Sequence, residues 1–198
     1  MTETDENLMQ AVRDGDVTKL GLLFDRHHRV LFDFFVRMTG SGAVADDLVQ
    51  DVFFRMLKYR GTFRDESRFK GWMFHIARNA RFDYYKKHKA ETLMPEEGAE
   101  NVESRTPHPG RELEHEEQTT LLERALFKLD AEKREVLVLS RYQDMKYDQI
   151  AELMECEVGT IKTRVHRALK ELRQIFLKLS GERPLCIVKK SGSNLQIM

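Results

Sequence analysis

Two segments with helical periodicity, separated by a tight turn, occupy residues 147–170, YDQIAELMECEVGTIKTRVHRALK. From Ile161 onward the apolar residues recur every three or four positions, which predicts a helix over about 158–179 with one buried stripe. A shorter helix over about 147–154 precedes it, and the turn lies at 155–157. This layout predicts a helix-turn-helix, a motif whose second helix enters the major groove of duplex DNA.

The side of the second helix opposite its apolar stripe is basic and polar. Arginine and lysine can pair with guanine acceptors in the major groove, and they also neutralise phosphates. A basic helix taken alone is more often a solvated surface, but the turn spacing and the Gly159-Thr160 start favour DNA binding here. The residues on this side are Gly159, Thr163, His166, Arg167 and Lys170, with Lys162, Arg164 and Arg173 on the flanks. Arg164 and Arg173 are placed to contact phosphate.

Helical periodicity extends over nearly all of the 198 residues, and no convincing run alternates as a strand does. The predicted fold class is therefore all-α. The predicted helices lie at about 5–14, 17–39, 43–59, 68–89, 117–128, 131–142, 147–154 and 158–179.

Charge is distributed unevenly, although 33 Lys and Arg balance 33 Asp and Glu. Residues 96–117 hold 8 acidic and 2 basic side chains, include Pro107 and Pro109, and have almost no large apolar residue. Such a segment cannot bury enough apolar surface to offset the entropy of ordering. The sequence therefore predicts two small helical domains joined by a flexible acidic linker. The domains are placed at 1–94 and 118–180, the linker at 95–117 and a flexible tail at 181–198.

Several classes of protein are excluded by what the sequence lacks. No apolar run approaches the roughly 18 residues of a membrane span, and the acidic N-terminus has no secretory layout, so a cytoplasmic location is expected. Cys156 and Cys186 are too few for a disulfide scaffold, and His27 and His28 have no further ligand at metal spacing. There is no phosphate-binding loop or nucleophile motif. We expect no metal, no cofactor and no enzymatic activity, whereas a redox role for Cys156 stays open.

The predicted helix over 43–59 carries an aromatic ring among acids on the side away from its apolar face. Asp47, Gln50, Asp51 and Phe54 form this side. Exposed apolar groups rimmed by charge often mark protein contacts. The pattern alone leaves open whether Phe54 binds a partner or packs against a neighbouring helix.

Residues 68–89 hold seven Lys and Arg against Asp83 alone. Arginines interleaved with aromatic rings suit single-stranded nucleic acid, because bases stack on rings while cations follow the backbone. The alternative is that Phe82 and Tyr85 pack in the core and only the cations face solvent. The side in question carries Phe74, Arg78, Arg81, Phe82, Tyr85 and Lys89, opposite a core stripe of Met73, Ile76, Ala80 and Tyr84.

Three stretches together resemble a bacterial RNA polymerase sigma factor of the extracytoplasmic-function (ECF) group. They are 46–53, DDLVQDVF; 63–84, FRDESRFKGWMFHIARNARFDY; and 147–165, YDQIAELMECEVGTIKTRV. Their order and separation also match, so the resemblance covers about residues 8–180. It implies two helical domains on a flexible linker, and a protein that binds core RNA polymerase and directs initiation at chosen promoters.

The resemblance also implies a role for each group of residues. The clamp coiled coil of the largest polymerase subunit would bind Asp47, Gln50, Asp51 and Phe54. The minus-ten element, with one non-template base flipped out of the melted strand, would contact Phe63, Ser67, Phe69, Lys70, Trp72, His75, Ile76, Arg78, Asn79 and Arg81, although Trp72 and Ile76 could be structural instead. The minus-thirty-five duplex would contact Thr160, Lys162, Thr163, Arg164, His166, Arg167 and Lys170.

Two residues depart from the family pattern. His75 stands where arginine is frequent, which puts the spacing or the base preference of the minus-ten element in doubt. Glu157 stands where proline is common at the start of the recognition helix. A negative charge still suits that helix end. The partners implied are core polymerase, promoter DNA and an anti-sigma factor. The competing hypothesis is a stand-alone helix-turn-helix regulator that binds duplex DNA as a dimer.

Overall fold

Eight α-helices account for most of the chain that the computed structural model describes, which comprises residues 3–64, 68–89, 113–181, 187–188 and 196–197. The chain divides into two compact units, Met1–Asn101 and Val102–Met198. Both units are helical, and the predicted all-α class is confirmed.

Four α-helices lie in the part of the first unit that the structure describes. They are α1 (Asp5–Arg13), α2 (Lys19–Thr39), α3 (Gly42–Lys58) and α4 (Phe69–Lys89), with a short 3-10 helix at Arg60–Thr62 after α3.

Local chemistry explains where the helices of the first unit begin and end. The hydroxyl of Thr4 accepts a hydrogen bond from the N–H of Asn7 at 3.2 Å, and Ser41 caps α3 in the same way. Gly40 ends α2 with φ of 77°, a left-handed conformation that glycine adopts without steric cost. The break between α2 and α3 therefore comes from a Gly-Ser pair.

Aromatic rings fill the core of the first unit. Phe34 lies edge-on to Phe35 and to Phe74, with ring centroids 5.2 and 5.3 Å apart. All three side chains are buried, as are Met73, Ile76 and Ala80 of the predicted stripe on α4. Because α2 and α4 contribute to this one core, the backbone positions from which their outer side chains project are fixed relative to each other.

The second unit contains α5 (Leu113–Phe127), α6 (Ala131–Leu137), α7 (Tyr147–Leu153) and α8 (Val158–Ser180). A π-helix at Val138–Tyr142 follows α6, where a continuous helix to residue 142 was expected. The extra residue in that turn does not change the apolar spacing enough to be recognised from sequence. The predicted helix-turn-helix is present as α7 and α8, and Glu155 in the turn has a positive φ of 52°.

One predicted helix boundary is corrected. Helix α5 begins at Leu113 rather than near 117, so the last residues assigned to the linker are helical. That stretch is Leu-Glu-His-Glu-Glu, in which leucine and glutamate are good helix formers. It was assigned to the linker because it is as acidic as the residues before it. The rest of the linker lies outside the described residues.

The C-terminal tail contains one element that the sequence did not indicate. Strands β1 (Ile187–Val188) and β2 (Gln196–Ile197) pair in antiparallel fashion, two residues each. The remainder of 182–198, for which flexibility was predicted, lies outside the described residues. Among the helices that the structure describes, none is both long and apolar enough to cross a membrane.

Candidate functional site

The outer side of α3, here called the α3 face, consists of Asp47, Gln50, Asp51 and Phe54. Phe54 is 65% exposed, and Asp47 and Gln50 are also exposed. The alternative in which Phe54 packs against a neighbouring helix is therefore wrong. An apolar ring between acidic and amide side chains is left at the surface, an arrangement typical of protein contacts.

Arg55 connects the α3 face to α4. Its Nε donates to Asp51 at 2.9 Å and its Nη1 donates to Asp83 at 2.6 Å. Burial by itself lowers the pKa of Arg55, but the bonds to the two carboxylates outweigh it and raise that pKa. Asp51 is consequently held in one orientation by a cation that stays charged, and α3 is joined to α4 at the edge of the α3 face.

A groove of about 320 Å³ lies beside the α3 face, between α2 and α3. The ring of Phe24 forms part of its wall, stacked on His28 at 5.0 Å and edge-on to Phe53 at 4.9 Å. This groove was not predicted from the sequence. The one feature of the sequence that points to it is the four-residue spacing of Phe24 and His28, which places both rings on the same side of α2. The groove is lined by Phe24, His28, Arg29, Phe32, Asp46, Val49 and Gln50.

The ten residues predicted to contact the minus-ten element do not share one environment. His75 and Asn79 are exposed, and Lys70, Trp72 and Arg78 are half-buried. These five, which we call the α4 face, are at least partly accessible at the surface. Ser67 lies outside the described residues.

The other four predicted residues are buried. Phe63 and Phe69 are each 1% exposed, Arg81 is 4% exposed, and Ile76 belongs to the core. Direct contact between these rings and a base is incompatible with this arrangement, because their faces are already covered by protein. The indole of Trp72 lies edge-on to Phe63 at 5.3 Å and donates to the Thr62 hydroxyl at 3.2 Å. The buried rings therefore support the surface on which Trp72 lies.

The basic and aromatic side of α4 divides between core and surface. Phe74 is buried, whereas Phe82 is 49% exposed and Tyr85 is also exposed. The guanidinium carbons of Arg78 and Arg81 lie 5.2 and 4.9 Å from the Phe82 ring. The alternative in which Phe82 and Tyr85 are core residues is wrong. Phe82 offers an exposed ring beside the half-buried cation of Arg78, while Arg81 supports the ring from the buried side. A ring next to a cation is the combination that single-stranded nucleic acid binds.

The seven residues predicted to contact duplex DNA lie along α8, and we call them the α8 face. Lys162, Thr163, His166, Arg167 and Lys170 are exposed, while Thr160 and Arg164 are half-buried. The opposite side of the helix buries Ile161, Val165, Ala168, Leu172 and Phe176, as the periodicity predicts. The buried stripe holds α8 in place, and its cations are presented outward.

Ion pairs connect α6 to α8. Arg164 pairs with Glu132 at 2.5 Å, so this arginine already has an acidic partner within the protein. Lys133 bonds to Asp130 and to Glu171, which raises the pKa of Lys133 to about 12 and holds that of Asp130 below its ordinary 3.8. These contacts join α6 to α8 at the protein surface, beside the buried stripe that holds α8 in place.

The described residues offer no obvious place for a metal ion. Across 3–64, 68–89 and 113–181, no three His, Cys, Asp or Glu side chains are grouped as ligands would be. His27 instead contacts the Asp5 carboxylate, with 2.7 Å between Nε2 and Oδ2. It is thus part of a tertiary contact rather than the solvated edge that the sequence indicated.

Comparison with known proteins matches both units. Residues 23–91 match the family model described as sigma-70 region 2, and residues 119–172 match the model described as sigma-70 region 4. The chain is 30% identical over 176 residues to the RNA polymerase sigma factor CarQ of Myxococcus xanthus, covering 88% of this chain and 98% of CarQ. The chain belongs to the sigma-70 family of RNA polymerase sigma factors. As a sigma factor it associates with core RNA polymerase and directs transcription to particular promoters.

The predicted ECF group is confirmed. The sigma factor is 29% identical over 176 residues to the ECF sigma-E factor of Escherichia coli strain K12, covering 83% of this chain and 90% of sigma-E. It is also similar to the sigma factor RpoE solved in complex with the anti-sigma factor NepR from Bartonella quintana. That likeness has a TM-score of 0.63 at 26% identity, and it covers 82% of this chain and 98% of RpoE. The hypothesis of a stand-alone regulator is not favoured.

Proposed function

We propose that the three faces divide the work of initiation among them. The α3 face binds the clamp coiled coil of core polymerase, the α4 face and Phe82 hold the melted minus-ten element, and the α8 face reads the minus-thirty-five duplex. The observation that carries this proposal is the 65% exposure of Phe54 between acidic neighbours, within the part of the chain that matches region 2.

The chemistry of each face suits its assigned partner. Phe54 offers apolar area at the centre of the α3 face, and a truncated aromatic at a protein interface often removes a large share of the affinity. Trp72, His75 and Asn79 combine a ring with polar edges, as the reading of an unstacked base requires. Lys162, Arg167 and Lys170 project from a helix that fits the major groove.

The domain roles and remaining partners follow from the same proposal. Residues 1–94 form the polymerase-binding and minus-ten domain, and 118–180 form the minus-thirty-five domain. Bartonella RpoE is found with an anti-sigma factor, which supports an anti-sigma factor as a regulatory partner of this chain. We assign the chain a binding role in the cytoplasm, in which it catalyses no reaction of its own.

The first test measures assembly with core polymerase. Phe54→Ala is expected to weaken binding of the full chain to core polymerase by about 10-fold, because a central apolar contact is lost. Asp51→Lys should also weaken binding by reversing a charge on the same face. Tyr59→Ala is the matched control, since Tyr59 is an exposed aromatic at the end of α3 outside the proposed face. Full binding by Phe54→Ala would contradict the assignment of the α3 face.

The second test measures promoter binding at a fixed salt concentration, because phosphate contacts make the affinity for DNA depend on salt. Fluorescent promoter DNA is titrated with the sigma factor alone and with its holoenzyme. Specific binding and strand opening are expected only with polymerase present. Tight specific binding by the chain alone, unchanged by polymerase, would overturn the proposal in favour of a duplex-binding regulator.

A further inference from the structure

Helix α1 contacts both ends of the connection that leads from the 3-10 helix into α4. The Nη1 of Arg13 donates to the carbonyl oxygen of Phe63 at 3.3 Å. The Oε1 of Glu6 accepts a hydrogen bond from the backbone N–H of Phe69 at 3.2 Å. The partners are 50 and 63 positions apart in the chain, so both are tertiary contacts made by one short helix.

Glu6 caps the first turn of α4 from another helix. The first N–H groups of a helix have no partner within the helix. Arg68, immediately before α4, has a side chain with donors only, and the first turn of α4 contains no acidic residue. A carboxylate at this end accepts from an N–H group and is favoured by the helix dipole. Glu6 therefore fixes the point at which α4 begins.

Helix α1 is itself held firmly enough to act as a support. Its Leu8, Met9 and Val12 are completely buried. The Asp5 carboxylate bonds to Arg26 and to His27 of α2, each at 2.7 Å. Glu6 and Arg13 thus project from a helix that is packed and ion-paired against the rest of the unit.

The two residues that α1 bonds through their backbone, Phe63 and Phe69, also make ring contacts, and one of these contacts is with Trp72 of the α4 face. The His27 ring lies 5.0 Å from the Phe69 ring, and Phe63 lies edge-on to Trp72. A shift of the Phe63 carbonyl or of the Phe69 N–H would move the ring attached to the same residue. Trp72, which lies on Phe63, would move with it.

We propose that Glu6 and Arg13 are positioning residues that set the selectivity of the α4 face for the minus-ten element. This inference rests on the proposed function of that face. Glu6 fixes the first turn of α4, and Arg13 fixes the backbone beneath Trp72. Selection of one base over another depends on such placement, because the hydrogen bonds that discriminate bases weaken steeply with distance and angle.

The experiment compares open-complex formation on two promoters by one holoenzyme preparation. One promoter has the preferred minus-ten element and the other has a substitution at its most selective base. The ratio of the two rates is the readout, because a ratio within one preparation does not change when part of the protein is inactive. The variants are Glu6→Ala, Glu6→Gln and Arg13→Met in the full chain.

Glu6→Ala is expected to lower the ratio by about 2- to 30-fold, the range that corresponds to loss of a helix cap. Glu6→Gln keeps a carbonyl acceptor and should lower it less, and Arg13→Met should also lower it. The matched control is Glu3→Gln, which removes a carboxylate paired with Lys19 of α2 at 3.0 Å. Binding of the variants to core polymerase should equal that of the wild type, because the α3 face is unchanged.

Two further variants separate this inference from the function on which it rests. Asn79→Ala and His75→Ala alter the α4 face directly. If they lower the ratio while Glu6→Ala and Arg13→Met leave it unchanged, the positioning role is wrong and the α4 face stands. If none of the four changes the ratio, the proposed function of the α4 face is itself wrong. A ratio lowered equally by Glu3→Gln would also overturn the positioning role.

Discussion

Three arginines of this sigma factor differ in what their guanidinium groups already contact. Arg55 bonds to Asp51 and Asp83 and so has two carboxylate partners. Arg164 pairs with Glu132 across two helices. Arg167 is exposed on the α8 face. A guanidinium group that is already paired with a protein carboxylate has fewer N–H donors left and a partly neutralised charge, so Arg167 is better placed than Arg164 to read a base.

Arg167→Ala tests that difference. Promoters that depend on the minus-thirty-five element should be used about 5- to 150-fold less well, equivalent to roughly 1–3 kcal/mol for a lost base contact. A promoter with a changed minus-thirty-five sequence should be affected much less. Lys178→Ala, an exposed cation in the last turn of α8, is the control. An equal loss on every sequence would mean that Arg167 contacts phosphate and reads no base.

At the scale of whole helices, periodicity predicted most of the fold, because the long helices bury an apolar stripe. The stripe on α8 from Ile161 to Phe176 is buried as expected. The π-helix after α6 and the early start of α5 were missed, since neither changes the apolar pattern. The exposure of Phe54 and Phe82 also could not be predicted from the sequence. A helical-wheel projection shows which side of a helix a ring lies on, but not how far a neighbouring helix covers that ring.

The role of α1 illustrates the same limit. Its apolar residues predicted a helix with a buried side, but its polar contacts are made by Glu6, Asp5 and Arg13 to residues far along the chain. Sequence spacing cannot show a bond between positions 6 and 69. Such bonds become visible only once the packing of α1 against α2 and α4 is known.

Asp5→Asn tests how strongly α1 is attached. Burial by itself raises the pKa of Asp5, but hydrogen bonds from Arg26 and His27 outweigh it and hold that pKa below 3.8. Because the pKa of Asp5 is lower in the folded than in the unfolded protein, its carboxylate stabilises the folded state at neutral pH. That contribution is lost as the pH falls from about 4 through the lowered pKa. Asp5→Asn should reduce the free energy of unfolding at pH 7 by about 0.5–1 kcal/mol, allowing for solvent screening.

Urea unfolding followed by the fluorescence of Trp72, the one tryptophan, reports on the first unit. The difference between Asp5→Asn and wild type should shrink as the pH falls below 4. Asp25→Asn, an exposed aspartate on α2, is the control and should change stability by less than about 0.5 kcal/mol. A difference that persists unchanged at low pH would show that the charge of Asp5 is not what attaches α1.

For the whole molecule, the zero net charge conceals two basic surfaces on separate units. The α4 helix belongs to the unit Met1–Asn101, and the α8 helix belongs to Val102–Met198. Under the proposed function each unit contacts one promoter element. Covalent connection then makes binding of the second element intramolecular, at an effective concentration far above that of the free protein.

Cutting the connection between the units tests this argument. A protease site inserted after Asn101, at the division between the units, leaves the uncut chain as the control. After cleavage the helix content seen by circular dichroism should be retained, because each unit has its own core. Open-complex formation at low concentration should fall by about 100-fold on promoters that need both elements, and should recover as the concentration of the cut protein is raised. If the cut protein initiates as well as the uncut chain at low concentration, the two faces do not cooperate through their connection, and polymerase alone brings them together.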